Sequence, residues 1–310
     1  MKIVFMGTPE FAIPSLKAIA ATGHRLVAVV TNTDEPQGRG LKVTPPPVKI
    51  AAAEIGVPVI QVSSLRDPEF ADRLRSLEPD VIVVVAFRIL PKEIFTIAKK
   101  GTFNLHASLL PKYRGAAPIN WAIVKGERET GVTTFFLDEK IDTGKIILQR
   151  RTEIGTDDTA GELADRLSKI GADAVVDTLD LIERNQVSII EQDDAKATKA
   201  PKISKENCLI DWSKPAEDVH NFIRGFSPEP GAFTYLQNRM AKIIRARIAE
   251  RPAHGAVGEL QTDSGKLNVV CGDGAVEILE IQMEGKKKLR SVEFLRGARI
   301  TPATVFSNKR

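Results

Sequence analysis

The sequence predicts a doubly wound α/β domain built on a mostly parallel sheet, followed by a small OB-like β-barrel. Over the first two thirds, short apolar runs alternate with segments of helical spacing, the pattern of a parallel sheet covered on both faces. A polar stretch without periodicity, Gln186 to Glu206, then interrupts this alternation. Beyond it lie five short strand-like segments with polar or glycine turns, and at 310 residues the chain exceeds the roughly 250 at which single cores stop growing. The expected organisation is a first domain over residues 1–190, a linker over 191–207 and a barrel over 208–310.

Each element has a local reason. Lys2 to Met6 reads as a buried strand, and Thr8-Pro9-Glu10 as an N-cap with proline at the first helical position, opening a helix to about Thr22. Arg25 to Thr31, Pro58 to Gln61, Asp80 to Ala86 and Thr102 to His106 are apolar enough for strands, with helices near Val48 to Ile55 and Pro68 to Leu77. Gly131 to Leu137 and Lys145 to Thr152 flank a turn from Asp138 to Gly144. Thr159-Ala160-Gly161-Glu162 is a capping-box pattern, after which Leu163, Leu167, Ile170, Ala174 and Ile182 keep helical spacing. In the last third, Val219, Phe222, Ile223 and Phe226 mark one amphipathic helix, stopped by Ser227-Pro228-Glu229-Pro230-Gly231. Strands are then expected at Ala232 to Leu236, Met240 to Ile248, Ala256 to Leu260, Leu267 to Cys271 and Val276 to Met283. A partly open five-stranded barrel of this kind commonly binds oligonucleotides.

Composition narrows the setting. With 43% hydrophobic and 27% charged residues, the chain has the make-up of an ordered globular protein. Only four consecutive apolar residues follow Lys2, too few for a signal-peptide core, and the longest apolar run, Val81 to Phe87, is far short of the ~20 residues that span a bilayer. Cys208 and Cys271 are too few and too far apart for a disulfide framework, so a cytoplasmic protein without membrane contact is expected. The net charge of +4 is uneven: residues 1–194 carry 24 Lys+Arg against 27 Asp+Glu, whereas residues 195–310 carry 20 against 13. A basic last third suits a polyanionic partner, and equally a merely solubilising excess.

The chemistry concentrates in one place. Asn104 and His106 are two apart at the carboxyl end of a predicted strand, so both side chains leave the same face where ligands of open α/β sheets sit. A turn-capping asparagine and a core histidine would be the plain alternative. Asp142, ahead of Thr143-Gly144, could supply a carboxylate; Asp138 is an equal candidate, and an Asx-turn explains either. A carboxylate beside an imidazole favours its protonated form and fixes its tautomer, which suits general acid or base work. Gly7-Thr8-Pro9 and Gly38-Arg39-Gly40 lack the further glycine of a dinucleotide fingerprint, no P-loop occurs, and the four histidines stand apart from one another and from cysteine. Neither NAD nor a metal is expected. The long segment from Asn32 to Lys49 reads as a surface loop or, because it carries Arg39, Lys42 and Lys49, as a phosphate-contacting one.

Together, Asn104-Leu105-His106-Ala107-Ser108-Leu109-Leu110-Pro111, Arg114-Gly115-Ala116-Ala117-Pro118-Ile119 and Ile141-Asp142-Thr143-Gly144 resemble the 10-formyltetrahydrofolate-dependent formyltransferases, in the branch that acts on methionyl-tRNA. The likeness extends to Phe5-Met6-Gly7-Thr8-Pro9-Glu10-Phe11, Pro36-Gln37-Gly38-Arg39-Gly40, Ile210-Asp211-Trp212-Ser213 and Pro230-Gly231-Ala232-Phe233. It implies transfer of the formyl group of 10-formyltetrahydrofolate, the co-substrate, to the α-amino group of initiator methionyl-tRNA, with no metal and with the chain acting as a monomer. It further implies Asn104, His106 and Asp142 as catalytic residues and Ser108, Leu109, Leu110 and Pro111 as the folate-lining turn. Arg39, Lys42, Lys202, Lys286 and Lys287 would then meet tRNA. In one departure, Ala86-Phe87-Arg88-Ile89-Leu90-Pro91 is one residue shorter than the corresponding family segment and lacks its glycine, which leaves backbone contacts to the pterin there open. A formyltransferase acting on a sugar-nucleotide amine is the nearest alternative. An RNA-binding module with a structural α/β domain and an oxidoreductase are more distant ones.

Overall fold

A computed structural model describes residues 1–37, 42–250, 255–298, 300–301 and 304–308. In chain order the elements are β1 (Lys2–Gly7), α1 (Ile13–Ala20), β2 (Arg25–Asn32), β3 (Glu35–Gln37), β4 (Lys42–Thr44), α2 (Pro47–Glu54), β5 (Val59–Val62), α3 (Pro68–Ser76), β6 (Val81–Val85), α4 (Lys92–Phe95), β7 (Thr102–His106), β8 (Arg114–Gly115), α5 (Pro118–Val124), β9 (Glu129–Phe136), β10 (Ile146–Glu153) and α6 (Ala160–Glu183). They continue with β11 (Lys199–Ala200), α7 (Ala216–Gly225), β12 (Ala232–Leu236), β13 (Arg239–Ile248), β14 (Leu260–Asp263), β15 (Lys266–Val270), β16 (Ala275–Met283), β17 (Leu289–Arg290) and α8 (Ser291–Gly297). The chain forms two compact units, and both are discontinuous: the first holds Met1–Gly115, Thr130–Thr152 and Ala164–Lys199, the second Ala116–Glu129, Glu153–Leu163 and Ala200–Arg310.

In the first unit the described strands form a seven-stranded sheet in the order β10-β9-β7-β6-β1-β2-β5. β5, β2, β1, β6 and β7 run parallel, and β9 turns antiparallel to β7. Val4, Met6, Val30, Ile60, Ile82 and Val84 pack on Phe70 and Leu74 of α3 and Ile94 of α4. Their strand neighbours Ile3, Phe5, Val29 and Val83 point the other way by the pleat and are also fully buried, which is why these strands read as unbroken apolar runs.

Three local expectations need correction. Thr8 is not the cap: the first helix begins as a 3-10 turn, Glu10–Ala12, with Pro9 at its N-cap, and the buried Thr8 hydroxyl has no hydrogen-bond partner among the described residues. The segment from Asn32 to Lys49 contains a hairpin, β3 against β4. Its Lys49 lies on α2 and pairs with both Asp34 oxygens at 2.8 Å, which holds the Asp34 carboxyl below its usual range. The polar stretch after α6 is docked rather than loose as far as Thr198, through bonds between Ile190 and Ile146, Arg114 and Asp194, and Arg114 N–H and the Thr198 carbonyl.

The capping box at Thr159 is formed, with the Thr159 N–H donating to Glu162 at 2.9 Å and the Glu162 N–H to the Thr159 hydroxyl at 3.2 Å. In the second unit, β12-β13-β16-β15-β14 form an antiparallel sheet, with β17 added beside β16. Its free edges are joined by the segment 304–307: Ser307 bridges Tyr235 of β12, and Val305 bridges Glu259 at the foot of β14. The sheet thereby closes into a barrel. The strand expected over Ala256 to Leu260 begins only at its end, because Gly255 and Gly258 have φ of +159° and +81° and keep the chain turning. The short helix α8 was not foreseen.

α7 packs its apolar side into the barrel core, and α5 joins it there: the Trp121 ring meets Phe226 edge-on at 5.9 Å, and the Asn120 amide donates to the Gly225 carbonyl at 2.8 Å. Cys208 and Cys271 are both free and buried, and burial pushes the Cys271 thiol up to about 12.

The polar side of α7 is also enclosed. Arg224 donates to the carbonyls of Gly155 (2.9 Å) and Asp158 (3.0 Å) and to Asn221 (2.8 Å). His220, 5% exposed, is held below its ordinary 6.5 by burial and by Arg224, against an opposing pull from Asp157 at 3.4 Å. Below the ordinary value the unfolded chain takes up a proton that the folded imidazole resists, so the stability His220 contributes above that value is lost as pH falls. His220→Gln is therefore expected to flatten the decline of the urea midpoint between about pH 7 and about pH 5. An identical pH profile in wild type and variant would show that His220 is not the proton-binding group.

Candidate active site at the carboxyl ends of β6 and β7

Parallel strands leave their carboxyl ends free for a site, and here β6 and β7 end side by side. A cavity of ≈ 100 Å³ opens there, lined by Val84, Asn104, Asp142 and the segments Phe87–Leu90 and Leu137–Ile141. Asn104 and His106 lie on one face of β7, two residues apart, as the spacing requires.

His106 is 6% exposed, and both of its nitrogens have defined neighbours. Nε2 lies 2.8 Å from the Tyr113 carbonyl, which can only accept, so Nε2 carries the hydrogen. Nδ1 is left facing the Asp142 carboxylate at 3.8 Å, close enough for attraction once the ring is protonated but too far for a hydrogen bond. Asp142 rather than Asp138 is thus the partner of the imidazole, while Asp138 lines the cavity. The same Asp142 oxygen accepts the Gly115 N–H at 2.8 Å.

Asp142 sits at φ +56°, a left-handed conformation uncommon outside glycine. The turn that holds it needs Gly144, where a Cβ would lie 1.7 Å from the Phe136 carbonyl oxygen. Ala86, just beyond β6, is also left-handed at φ +48°. Here the departure at Arg88 has its structural counterpart: the guanidinium donates to the carbonyls of Val62 (2.7 Å) and Ser63 (2.8 Å), anchoring the cavity wall to the end of β5.

The turn Ser108–Pro111 does not line this cavity. Ser108 and Leu110 are buried, Leu109 and Pro111 partly so, and the Ser108 hydroxyl donates to the Lys112 carbonyl at 2.6 Å. Thr133 anchors the turn, donating to the Ser108 carbonyl (2.6 Å) while accepting from the Leu110 N–H (3.1 Å) and from Gln149 (2.9 Å). Phe87–Leu90 and Ile141 belong to segments that the family resemblance singles out, whereas Val84, Leu137, Glu139 and Lys140 line the cavity without any sequence signal beyond their nearness to the strand ends.

Of the basic residues singled out, Arg39 lies outside the described residues and Lys42 falls in β4. Lys202, Lys286 and Lys287 are exposed, whereas the neighbouring Lys288 is paired with Glu280 at 2.8 Å. Among the described residues, His24, Asp180 and Glu183 form the cluster of possible metal donors, and none of them belongs to the site. Among the same residues no helix is long and apolar enough to cross a membrane.

The sequence model for formyl transferase matches residues 1–179, and that for the formyl transferase C-terminal domain matches residues 202–299. The chain is 50% identical over 305 residues to the methionyl-tRNA formyltransferase of Chlorobium luteolum, covering 96% of this chain and 97% of the relative. It is 46% identical over 311 residues to that of Citrifermentans bemidjiense, covering 100% and 97%. Among solved structures, a sugar 3N-formyl transferase crystallised with dTDP and 5-N-formyl-THF superposes with a TM-score of 0.69 at 23% identity, over 93% of this chain and 99% of that one.

The geometry around Gly144 makes a direct demand on the fold. Gly144→Ala must push Phe136 or the Asp142 turn aside, and is expected to cost about 1–3 kcal/mol in urea unfolding. A loss under about 0.5 kcal/mol would show that the turn relaxes freely.

Proposed function

The chain belongs to the formyl transferase family, among the methionyl-tRNA formyltransferases, and from that premise we propose how its own residues perform the reaction. It transfers the formyl group of 10-formyltetrahydrofolate to the α-amino group of methionyl-tRNA, giving N-formylmethionyl-tRNA and tetrahydrofolate. The observation that carries the mechanism is the convergence of Asn104, His106 and Asp142 at the strand ends, two of them lining the cavity and the third facing Asp142.

The amine attacks the formyl carbon, the carbonyl oxygen becomes negative, and collapse breaks the bond from that carbon to the folate nitrogen. The Asn104 amide donates to the oxygen as its charge develops; a donor of this kind typically contributes about 2.7–4 kcal/mol. The amine must lose one proton and the departing folate nitrogen must gain one. His106 moves it through Nδ1, because Nε2–H is already committed to the Tyr113 carbonyl. Asp142 stabilises the imidazolium across 3.8 Å and sits where the amine proton is released.

The cavity walls Phe87–Leu90 and Leu137–Ile141 receive the folate ring, with the turn Ser108–Pro111, which follows His106 directly, as the further folate-binding segment. Residues 208–310, together with Arg39, Lys42, Lys202, Lys286 and Lys287, hold tRNA phosphates without reading sequence. The enzyme works in the cytoplasm, where charged tRNA is available, and as a monomer, which light scattering tests.

His106→Ala is expected to slow single-turnover formylation about 10²- to 10⁴-fold with folate affinity nearly unchanged, since the imidazole acts on protons rather than on ground-state binding. A rate near wild type would remove His106 from proton transfer. Replacing Lys286 and Lys287 by alanine should flatten the slope of log affinity for methionyl-tRNA against log salt by up to about 1.4–1.8. Lys288, held by Glu280, should add little. An unchanged slope would show that these lysines meet no phosphate.

A further inference from the structure

Gln192 lies in the stretch between the two matched family segments, and its side chain uses all four of its hydrogen-bonding positions. Its Nε2 donates to the main-chain carbonyls of Asp142 (2.9 Å) and Gly144 (2.8 Å). Its Oε1 accepts from Arg114 Nε (3.1 Å) and from an Arg114 terminal nitrogen (2.8 Å). The amide orientation is not ambiguous, because carbonyls only accept and a guanidinium only donates.

Arg114 is itself fixed. Its guanidinium also pairs with Asp194 at 2.7 Å, and its N–H donates to the Thr198 carbonyl at 2.9 Å. The next residue, Gly115, gives its N–H to the Asp142 carboxylate. Asp142 is thus gripped twice from one dipeptide: its carboxylate directly by Gly115, and its main chain through Gln192 by the Arg114 side chain. A left-handed non-glycine residue persists only where its surroundings over-determine it, and these bonds supply that determination.

We infer that Gln192 is a positioning residue for formyl transfer, a clamp that holds the Asp142 carboxylate in line with His106 Nδ1 without touching substrate. The inference rests on the catalytic role proposed above for Asp142. Displacement of a catalytic group by about 1 Å can cost on the order of 10²-fold in rate, so the clamp should act on the chemical step.

Two variants test it. Gln192→Leu removes all four bonds at similar volume, and Gln192→Glu keeps the Arg114 pair but cannot donate to the two carbonyls, so it serves if the leucine variant fails to fold. Each is expected to slow single-turnover formylation about 10- to 100-fold while KM for folate and for methionyl-tRNA stays within about twofold. Combined with Asp142→Asn, either should slow the reaction no further than Asp142→Asn alone, because the clamp acts only through that carboxylate. Protection of the Gly115 amide from hydrogen exchange should fall in both variants, a readout that needs no substrate. A wild-type rate, full additivity with Asp142→Asn, or unchanged Gly115 protection would overturn the clamp. A wild-type enzyme that fails to formylate methionyl-tRNA would instead overturn the functional reading, and the exchange measurement would still decide the clamp.

Discussion

One hydrogen bond gives the site its direction. By committing His106 Nε2–H to the Tyr113 carbonyl, the fold leaves the imidazole a single nitrogen for proton exchange and points it at Asp142. An imidazole without such a bond could sit in either tautomer, and a share of the molecules would carry the hydrogen on the wrong side. The surrounding contacts serve this arrangement. Tyr113 is left-handed at φ +60°, its N–H is taken by the Thr198 hydroxyl at 2.8 Å, and the Ser108 hydroxyl holds the carbonyl of the preceding Lys112.

The scaffold was legible in the sequence for a simple reason: strands buried on both faces must be apolar throughout, and Val81 to Phe87 cannot easily be anything else. The shared face of Asn104 and His106 followed from the two-residue period of a strand. The choice between Asp138 and Asp142 did not, since both lie in one short turn and only the left-handed backbone at Asp142, set by contacts with Gly115 and Gln192, decides which carboxylate reaches the ring. Those contacts join residues 27 and 50 apart in sequence, and no local pattern encodes them. The pairing of Lys49 with Asp34, 15 residues earlier in the loop before β3, has no local pattern, and the seven-residue helix α5 is too short to show a period.

Strain and function coincide in this unit. Asp142, which lines the cavity, and Ala86, next to the cavity-lining Phe87, are both left-handed and both bulkier than glycine. Each is tied down by groups outside its own segment: Arg88, two residues from Ala86, reaches the end of β5, and Gln192 holds Asp142. Such residues are typically retained where a surface must keep one shape before its ligand arrives. Preorganisation of this kind stabilises a developing charge without a reorganisation cost during reaction.

The interleaving of the two units has a consequence for how the chain is made. α5 is synthesised early, yet Trp121 and Asn120 find their partners on α7, Asn120 with Gly225 105 residues later. At ribosomal rates of about 5–20 residues per second, roughly 5–20 s pass before that partner exists. During that interval only the short segment Glu153–Leu163 of its own unit is made, and the Trp121 indole waits for Phe226 across the whole synthesis of β9, β10 and α6. A slow codon or pause in that window would prolong exposure to chaperones and proteases, so translation speed there bears on the yield of folded enzyme more than it would in a protein whose domains follow one another along the chain.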